Sequence, residues 1–365
     1  MPAYLDDKTG KWYVSFRYEN YDGQRKQKMK RGFARKKDAL EYERDFLTRM
    51  QGTPDLTFKQ LYKEYMEDAE SRLRITTIQS KKNMIETKIL PFFKDKPVNE
   101  IDARSVRKWQ NWMLKQKKPN GELYADTYIK TINNQLSAMF NYAVKFYNLA
   151  SNPIHKTGTI GKKHADDMEF WTLDEFEHCM TYFNSDDPHD FQFLTFYHLL
   201  FYSGMRQGEA SALTLNDFDF EENTVRVDKT FVRIGGKDLI HETKTPRSKR
   251  TINLPQILID MIVEYAASLY GYDNNEILFP MHKSNINRRL KTAIKNTKSK
   301  MIRIHDLRHS HASFLIELGC NVLLIQERLG HENIETTMQT YAHLYPNKQE
   351  EVVTQINKML SKRYQ

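Results

Sequence analysis

The period of the apolar residues changes along this chain, and no single layered fold accommodates every regime. From Trp12, the segment KWYVSFRYEN alternates, with Trp12, Val14, Phe16 and Tyr18 on one side and Tyr13, Ser15 and Arg17 on the other. Alternation of this kind makes a strand with one apolar face. Asp22-Gly23 marks a turn, and RKQKMKRGF reads as a second strand crowded with Arg25, Lys26, Lys28, Lys30 and Arg31. A helix is expected from about Lys36 to Met50. Residues 1–50 carry 13 Lys and Arg against 8 Asp and Glu, so the block is a basic sheet backed by a helix. Such a face suits simple solvation or a two-stranded ribbon entering a DNA groove.

After a Gly52-Thr53-Pro54-Asp55 linker, the period lengthens to that of helices. Thr57 is placed to cap a helix bearing Phe58, Leu61, Tyr62 and Tyr65. A second helix is expected from Thr76 or Thr77 to about Pro91-Phe92. Asp102 is placed to cap a third with Val106, Trp109 and Trp112-Met113. Pro119-Asn120-Gly121 makes a turn, and ADTYIKTINNQLSAMFNYAVKF aligns Ile129, Ile132, Leu136, Met139, Phe140 and Ala143. This all-helical block ends near residue 155 and is long enough to form its own bundle. Residues 151–170 show no period and contain Pro153, Gly158 and Gly161, which predicts an interdomain tether. The expected divisions are residues 1–52, 55–155 and 168–365.

The whole chain of 365 residues carries a formal charge of +9, which favours a polyanion partner such as nucleic acid. FQFLTFYHLLFYSGM is too short and too interrupted to span a bilayer and predicts a buried helix. The opening residues have no basic stretch followed by an apolar run, so no secretory signal is expected. Cys179 and Cys320 lack metal-like spacing and read as buried helical thiols in a reducing, cytoplasmic setting.

The last block concentrates residues suited to chemistry. Arg206 follows the hydrophobic helix and Gly204, and needs a partner: Glu209, or an external phosphate. NTVRVDKTFVRI, KDLIHETKTP and KRTINLP are strand-like runs, with Lys244 at the end of the second. That lysine suits a solvated hairpin or a general acid. His305 and Arg308 lie three apart at a helix start and share a face. Asp306 suits the dipole there, and His309 and His311 add polarity. The cluster lacks a convincing fourth ligand and any HExxH pattern, and its arginine argues for an anion rather than a metal. NVLLIQERLG forms a helix ended by Gly330, with His331 at the break and Tyr341 ten residues later on a short helix. A free tyrosine hydroxyl, with pKa about 10, is a poor nucleophile. Neighbouring arginines favour its phenolate and neutralise a phosphate. The tail NKQEEVVTQINKMLSKRYQ reads as an amphipathic helix that packs on its own domain or on a neighbouring copy.

The order G-x-R-x-x-E, hairpin lysine, H-x-x-R, L-G-H and late tyrosine resembles the tyrosine recombinases, most closely integrases of Gram-positive phages and conjugative transposons. Here it falls on Arg206, Lys244, His305, Arg308, His331 and Tyr341; His311 has no assigned counterpart. The resemblance covers the whole chain, and the tyrosine-to-histidine spacing resembles the transposon branch. It implies a small α+β arm-binding domain with a three-stranded sheet and a helix. It further implies an all-α core-binding bundle, and a mainly α catalytic domain with a small antiparallel sheet. It implies cleavage through a 3′-phosphotyrosyl intermediate with Lys244 as acid and His305 as general base or proton manager, Holliday junctions and a homo-tetramer on double-stranded DNA with core and arm sites. An excision factor and a host DNA-bending protein are implied partners, and neither cofactor, metal nor membrane is implied. Two other functions are compatible with parts of the pattern: a type IB topoisomerase, and a non-catalytic architectural DNA-binding protein.

Overall fold

The computed structural model describes residues 3–7, 9–19, 25–162, 169–243 and 248–341, except 51–55, together with 353, 356–357 and 359–361. The chain divides into two compact units, 1–166 and 167–365.

The first unit begins with an antiparallel sheet in the order β1 (Ala3–Asp6), β2 (Lys11–Glu19), β3 (Arg25–Phe33), followed by α1 (Lys36–Met50). The alternation of β2 is realised: Val14 and Phe16 are buried against Ala39 and Phe46 of α1, with Trp12 and Tyr18 at the margin. The opposite face carries Arg25 and Arg31, both exposed, across from Glu19 and Tyr13; Lys26 and Lys30, paired with Tyr18 and Val14, share the helix-covered side by register and are also exposed. On the opposite face Arg31 lies over the ring of Tyr13, which stacks on Tyr4. The third strand is β1, from the first few residues; the expected Asp22-Gly23 turn lies outside the described residues.

The rest of this unit is helical: α2 (Phe58–Glu70), α3 (Ile75–Met84), α4 (Leu90–Phe93), α5 (Ala103–Leu114), α6 (Asp126–Phe146) and α7 (Ile154–Thr157). Thr57 and Gln60 form a reciprocal cap on α2, and Asp102 accepts from Ser105 N at 2.8 Å. Between α3 and α4 the backbone widens to a π turn, Ile85–Ile89. Pro91 has no N–H to continue the ordinary ladder there. Trp109 Nε1 instead donates to Lys88 O at 2.9 Å. Phe58, Leu61, Trp109, Ile132, Leu136 and Phe140 are fully buried together. Residues 157–158 have no sequence period but are held by side chains of α5: Gln110 Nε2 donates to Gly158 O at 2.8 Å and Arg107 Nη2 to Thr157 O at 2.5 Å.

The second unit contains α8 (Leu173–Met180), α9 (Pro188–Ser203), α10 (Gln207–Ala210), then β4 (Phe218–Asp219), β5 (Thr224–Val227), β6 (Lys229–Ile234), β7 (Lys237–Glu242) and β8 (Arg250–Asn253). It continues with α11 (Gln256–Ala267), α12 (Lys283–Thr297), α13 (Asp306–Glu317), α14 (Val322–Leu329) and α15 (Ile334–Tyr341). Helix α9 is apolar on nearly every side because it packs against both α11 and α13. Its Phe196, Tyr197 and Phe201 join Trp171, Phe176, Ile262 and Phe279 in the core. A smaller apolar cluster joins α13 and α14 to Tyr341.

KRTINLP forms the expected strand, β8, which pairs with β5. Two expectations differ in detail. NTVRVDKTFVRI is not one run: it breaks at Asp228 into β5 and β6. Cys179 is buried in α8, but Cys320 is half-buried and lies in the turn after α13. Most of the tail lies outside the described residues; Val353, Ile356, Met359 and Leu360 are helical and exposed.

Candidate active site

Helix α9 ends at Gly204, which adopts the left-handed conformation at φ 66°. The chain then turns so that Arg206 becomes the N-cap residue of α10. Added bulk at Gly204 would strike His311 Cδ2 at 2.4 Å and Leu329 Cδ2 at 2.9 Å. Gly204→Ala combines a backbone penalty with overpacking, so thermal unfolding should show a loss of about 2–4 kcal/mol.

Arg206 Nη1 binds Glu209 Oε1 at 2.8 Å, while 41% of the arginine side chain stays exposed. Glu209 is buried, and its other oxygen accepts from Arg250 Nη2 at 2.9 Å. Burial raises the Glu209 pKa, but Arg250 and then Arg206 outweigh it and hold the carboxyl below its ordinary value. Arg250 also donates through Nε to Arg328 O at 2.8 Å and through Nη1 to Ser248 O at 3.1 Å. One buried guanidinium therefore ties β8, α10 and the end of α14 together.

His305 is the N-cap residue of α13. Asp306 fixes that helix start by accepting from Arg303 N at 2.7 Å and from Arg303 Nη2 at 2.7 Å. Arg308 is 3% exposed. Its Nη1 donates to Gly204 O at 2.7 Å and its Nη2 to Leu329 O at 2.6 Å. Two carbonyls at helix ends thus aim one guanidinium, and burial followed by the nearby Arg206 charge lowers its pKa, leaving it protonated at neutral pH. Gly330, left-handed at φ 66°, ends α14 and presents His331. His331 Nδ1 and Thr337 Oγ1 share a hydrogen bond of 2.8 Å.

Burial, then Arg308 and Arg206, push His331 down to about 3; burial and then Arg308 also lower His305. Both rings are neutral in this state. An anion would offset the arginine charges and restore their basicity. Tyr341 is 1% exposed, and its hydroxyl lies 2.6 Å from His309 Nδ1. Burial raises its pKa to about 12 despite Arg308. The expected arginine effect has the expected sign but is outweighed by desolvation.

Arg206, His305, Arg308, His331 and Tyr341 are thus brought together, linked by Coulomb interactions through Arg308. Lys244 lies outside the described residues; β7 ends at Glu242. Beside Arg206 and His305 opens a groove of about 790 Å³ whose lining includes Arg233, Lys283, Lys291 and Arg303. Among the described residues no group of His, Cys, Asp or Glu is arranged to hold a metal, and no helix is long and apolar enough to cross a membrane.

Sequence reasoning missed Arg250 and gave His309 no role. Arg250 had a signal: it occupies an inward position of β8, two residues before buried Ile252, where a cation needs a buried partner. His309 had none, because its partner is 32 residues away. His311, left without a role, accepts from Arg328 Nε at 3.0 Å and serves packing behind Gly204.

Three family models match in succession: "Arm DNA-binding domain" over residues 2–50, "Phage integrase, N-terminal SAM-like domain" over 57–114 and "Phage integrase family" over 169–348. The ICEBs1 integrase of Bacillus subtilis is 27% identical over 368 residues, covering 95% of this chain and 96% of that protein. The integrase of Staphylococcus phage L54a is 25% identical, covering 84% and 94%. Among solved structures, the Tn1549 transposon integrase in complex with a circular intermediate DNA aligns with a TM-score of 0.66 at 18% identity, covering 83% of this chain and 99% of that one. A lambda integrase tetramer bound to a Holliday junction aligns with a TM-score of 0.59 at 15% identity, covering 95% of each. The chain belongs to the phage integrase family of tyrosine recombinases. It is an integrase of the phage and conjugative-transposon type, an enzyme that cleaves and rejoins DNA.

Proposed function

We propose that this protein integrates and excises a mobile element by exchanging DNA strands at a phosphate held among Arg206, His305, Arg308 and His331. The observation that carries this reading is the Tyr341 hydroxyl, buried beside an arginine that two helix-end carbonyls hold in place. Arg206 and Arg308 grip the non-bridging oxygens, and His305 and His331 add donors once the anion recharges them. Tyr341 attacks phosphorus, leaving a 3′-phosphotyrosyl bond and a free 5′-hydroxyl. Lys244 protonates that leaving oxygen. The 5′-hydroxyl of a partner strand then attacks the phosphotyrosine and restores the diester. Bond energy stays in the covalent intermediate, so the scheme uses neither ATP nor a metal.

Exchange of both strand pairs passes through a Holliday junction held by four copies. Residues 55–155 bind the core site and residues 1–52 bind arm sites, with the catalytic domain at 168–365. An excision factor and a host bending protein set direction. The setting is the cytoplasm, on nucleoid DNA. The test supplies a core site cut from the element's own ends and a labelled strand with a free 5′-hydroxyl, in the presence of EDTA. Joined product is expected; absence of joining with DNA binding intact would rule the reading out.

A further inference from the structure

We propose that His309 is the base that takes the Tyr341 proton as the tyrosine oxygen attacks phosphorus, a role that rests on Tyr341 being the nucleophile. His305, Arg308 and His309 occupy one face of α13 at the i, i+3 and i+4 positions. Arg308 is committed to two carbonyls, so the next residue is held in place with it. The His309 ring meets the His305 ring edge-on at 5.3 Å between centroids. Its Nδ1 lies 2.6 Å from the Tyr341 hydroxyl oxygen.

Among the described residues Nδ1 is the hydrogen-bond partner of the Tyr341 hydroxyl, so a protonated phenol donates to it. Arginine side chains donate only. His331 Nδ1 is already bonded to Thr337. Burial, followed by His305, lowers the His309 pKa to about 4, while burial holds Tyr341 near 12. At neutral pH the hydroxyl therefore has its proton and the imidazole has a free lone pair, the starting state for a base. No transfer occurs in the DNA-free protein. A phosphodiester offsets the cationic surroundings, and the phenol becomes acidic as its oxygen bonds to phosphorus. The proton passes from Tyr341 to His309 Nδ1, the new P–O bond forms, and the 5′-oxygen leaves with its electron pair. In the return step the departing phenolate recovers the proton from His309.

The test is single-turnover cleavage of a nicked suicide duplex, made with either oxygen or sulfur at the bridging 5′ position. Sulfur leaves without protonation, so it rescues loss of an acid but not loss of a base. His309→Asn keeps an acceptor near the Nδ1 position but has no useful proton affinity. It is expected to cleave about 100-fold more slowly on both substrates, with DNA binding unchanged. Lys244→Ala is expected to recover with sulfur. The rate of His309→Ala should climb about tenfold per pH unit in mild alkali as hydroxide takes the proton, while the parent stays flat. Arg303, His305, Asp306, Arg308, His331 and Tyr341, the charged and titratable groups around His309, are common to both proteins, so their titration cancels in that comparison. Parental rates for His309→Asn, or rescue of the His309 variants by sulfur, would overturn the base role alone. A parent protein that binds but never attaches, or attachment that survives Tyr341→Phe, would overturn the nucleophile assignment and the base role with it.

Discussion

Tyr341→Phe is expected to abolish covalent attachment to DNA, lowering cleavage by at least about 10⁴-fold, while leaving affinity for the duplex unchanged. The substitution removes one oxygen from a ring that is 1% exposed and packed with Leu315, Ile325 and Leu329. The apolar contacts survive. The structural loss is confined to the hydrogen bond with His309, worth about 1 kcal/mol. Catalysis and stability are therefore separable at this position. Denaturing gels of the DNA complex report attachment, and thermal unfolding of the same sample reports the fold. A variant that is inactive because it has unfolded would show as a large drop in melting temperature, which this account does not predict.

Arg250→Met is expected to destabilise the second unit by about 3–5 kcal/mol and to reduce cleavage with it. Its guanidinium is 5% exposed and lies 2.9 Å from a Glu209 oxygen that is itself almost fully buried. Removing it leaves Glu209 with the half-exposed Arg206 as its remaining ion-pair partner among the described residues. It also removes one donor from each of the carbonyls of Ser248 and Arg328, the latter two residues before Gly330. Arg206 would then be drawn toward Glu209 and away from a phosphate. The pH dependence follows from the lowered folded-state pKa of Glu209. The contribution of this network is present above the ordinary carboxyl value of 4.5 and is lost as pH falls through the lower folded value. Denaturant melts of parent and variant should differ most at neutral pH and converge in acid. A constant difference down to pH about 2 would contradict the assignment.

Much of the fold was legible because local chemistry and tertiary burial agree. The Thr57 and Asp102 caps, the alternation of β2 and the apolar stripe of α6 each specify their element before any packing is known. Of the helices of eight residues or more, two were not legible. Helix α11 starts after Pro255 with no side-chain cap, and its apolar run fits a strand as well as a helix. Helix α12 buries only Ile286, Leu290, Ala293 and Ile294 amid lysines and arginines, so its period is faint. The pairing of β8 with β5 was hidden because the β6–β7 hairpin separates them in sequence. In the site, the grouping of Arg206, His305, Arg308, His331 and Tyr341 could be anticipated from spacing and residue type, while Lys244 lies outside the described residues. What could not be read was how each group is held. Arg308 rests on carbonyls 104 and 21 residues away, and backbone carbonyls leave no mark in a side-chain pattern. The sign of the net Tyr341 shift was hidden for a related reason, since burial is a property of the folded chain.

The most direct measurement is mass spectrometry of the protein trapped on a nicked core-site duplex, with the DNA end characterised. One adduct is expected, on Tyr341, joined to a 3′-phosphate and accompanied by a free 5′-hydroxyl strand. Attachment at another residue, linkage to a 5′-phosphate, or binding with no adduct would contradict it.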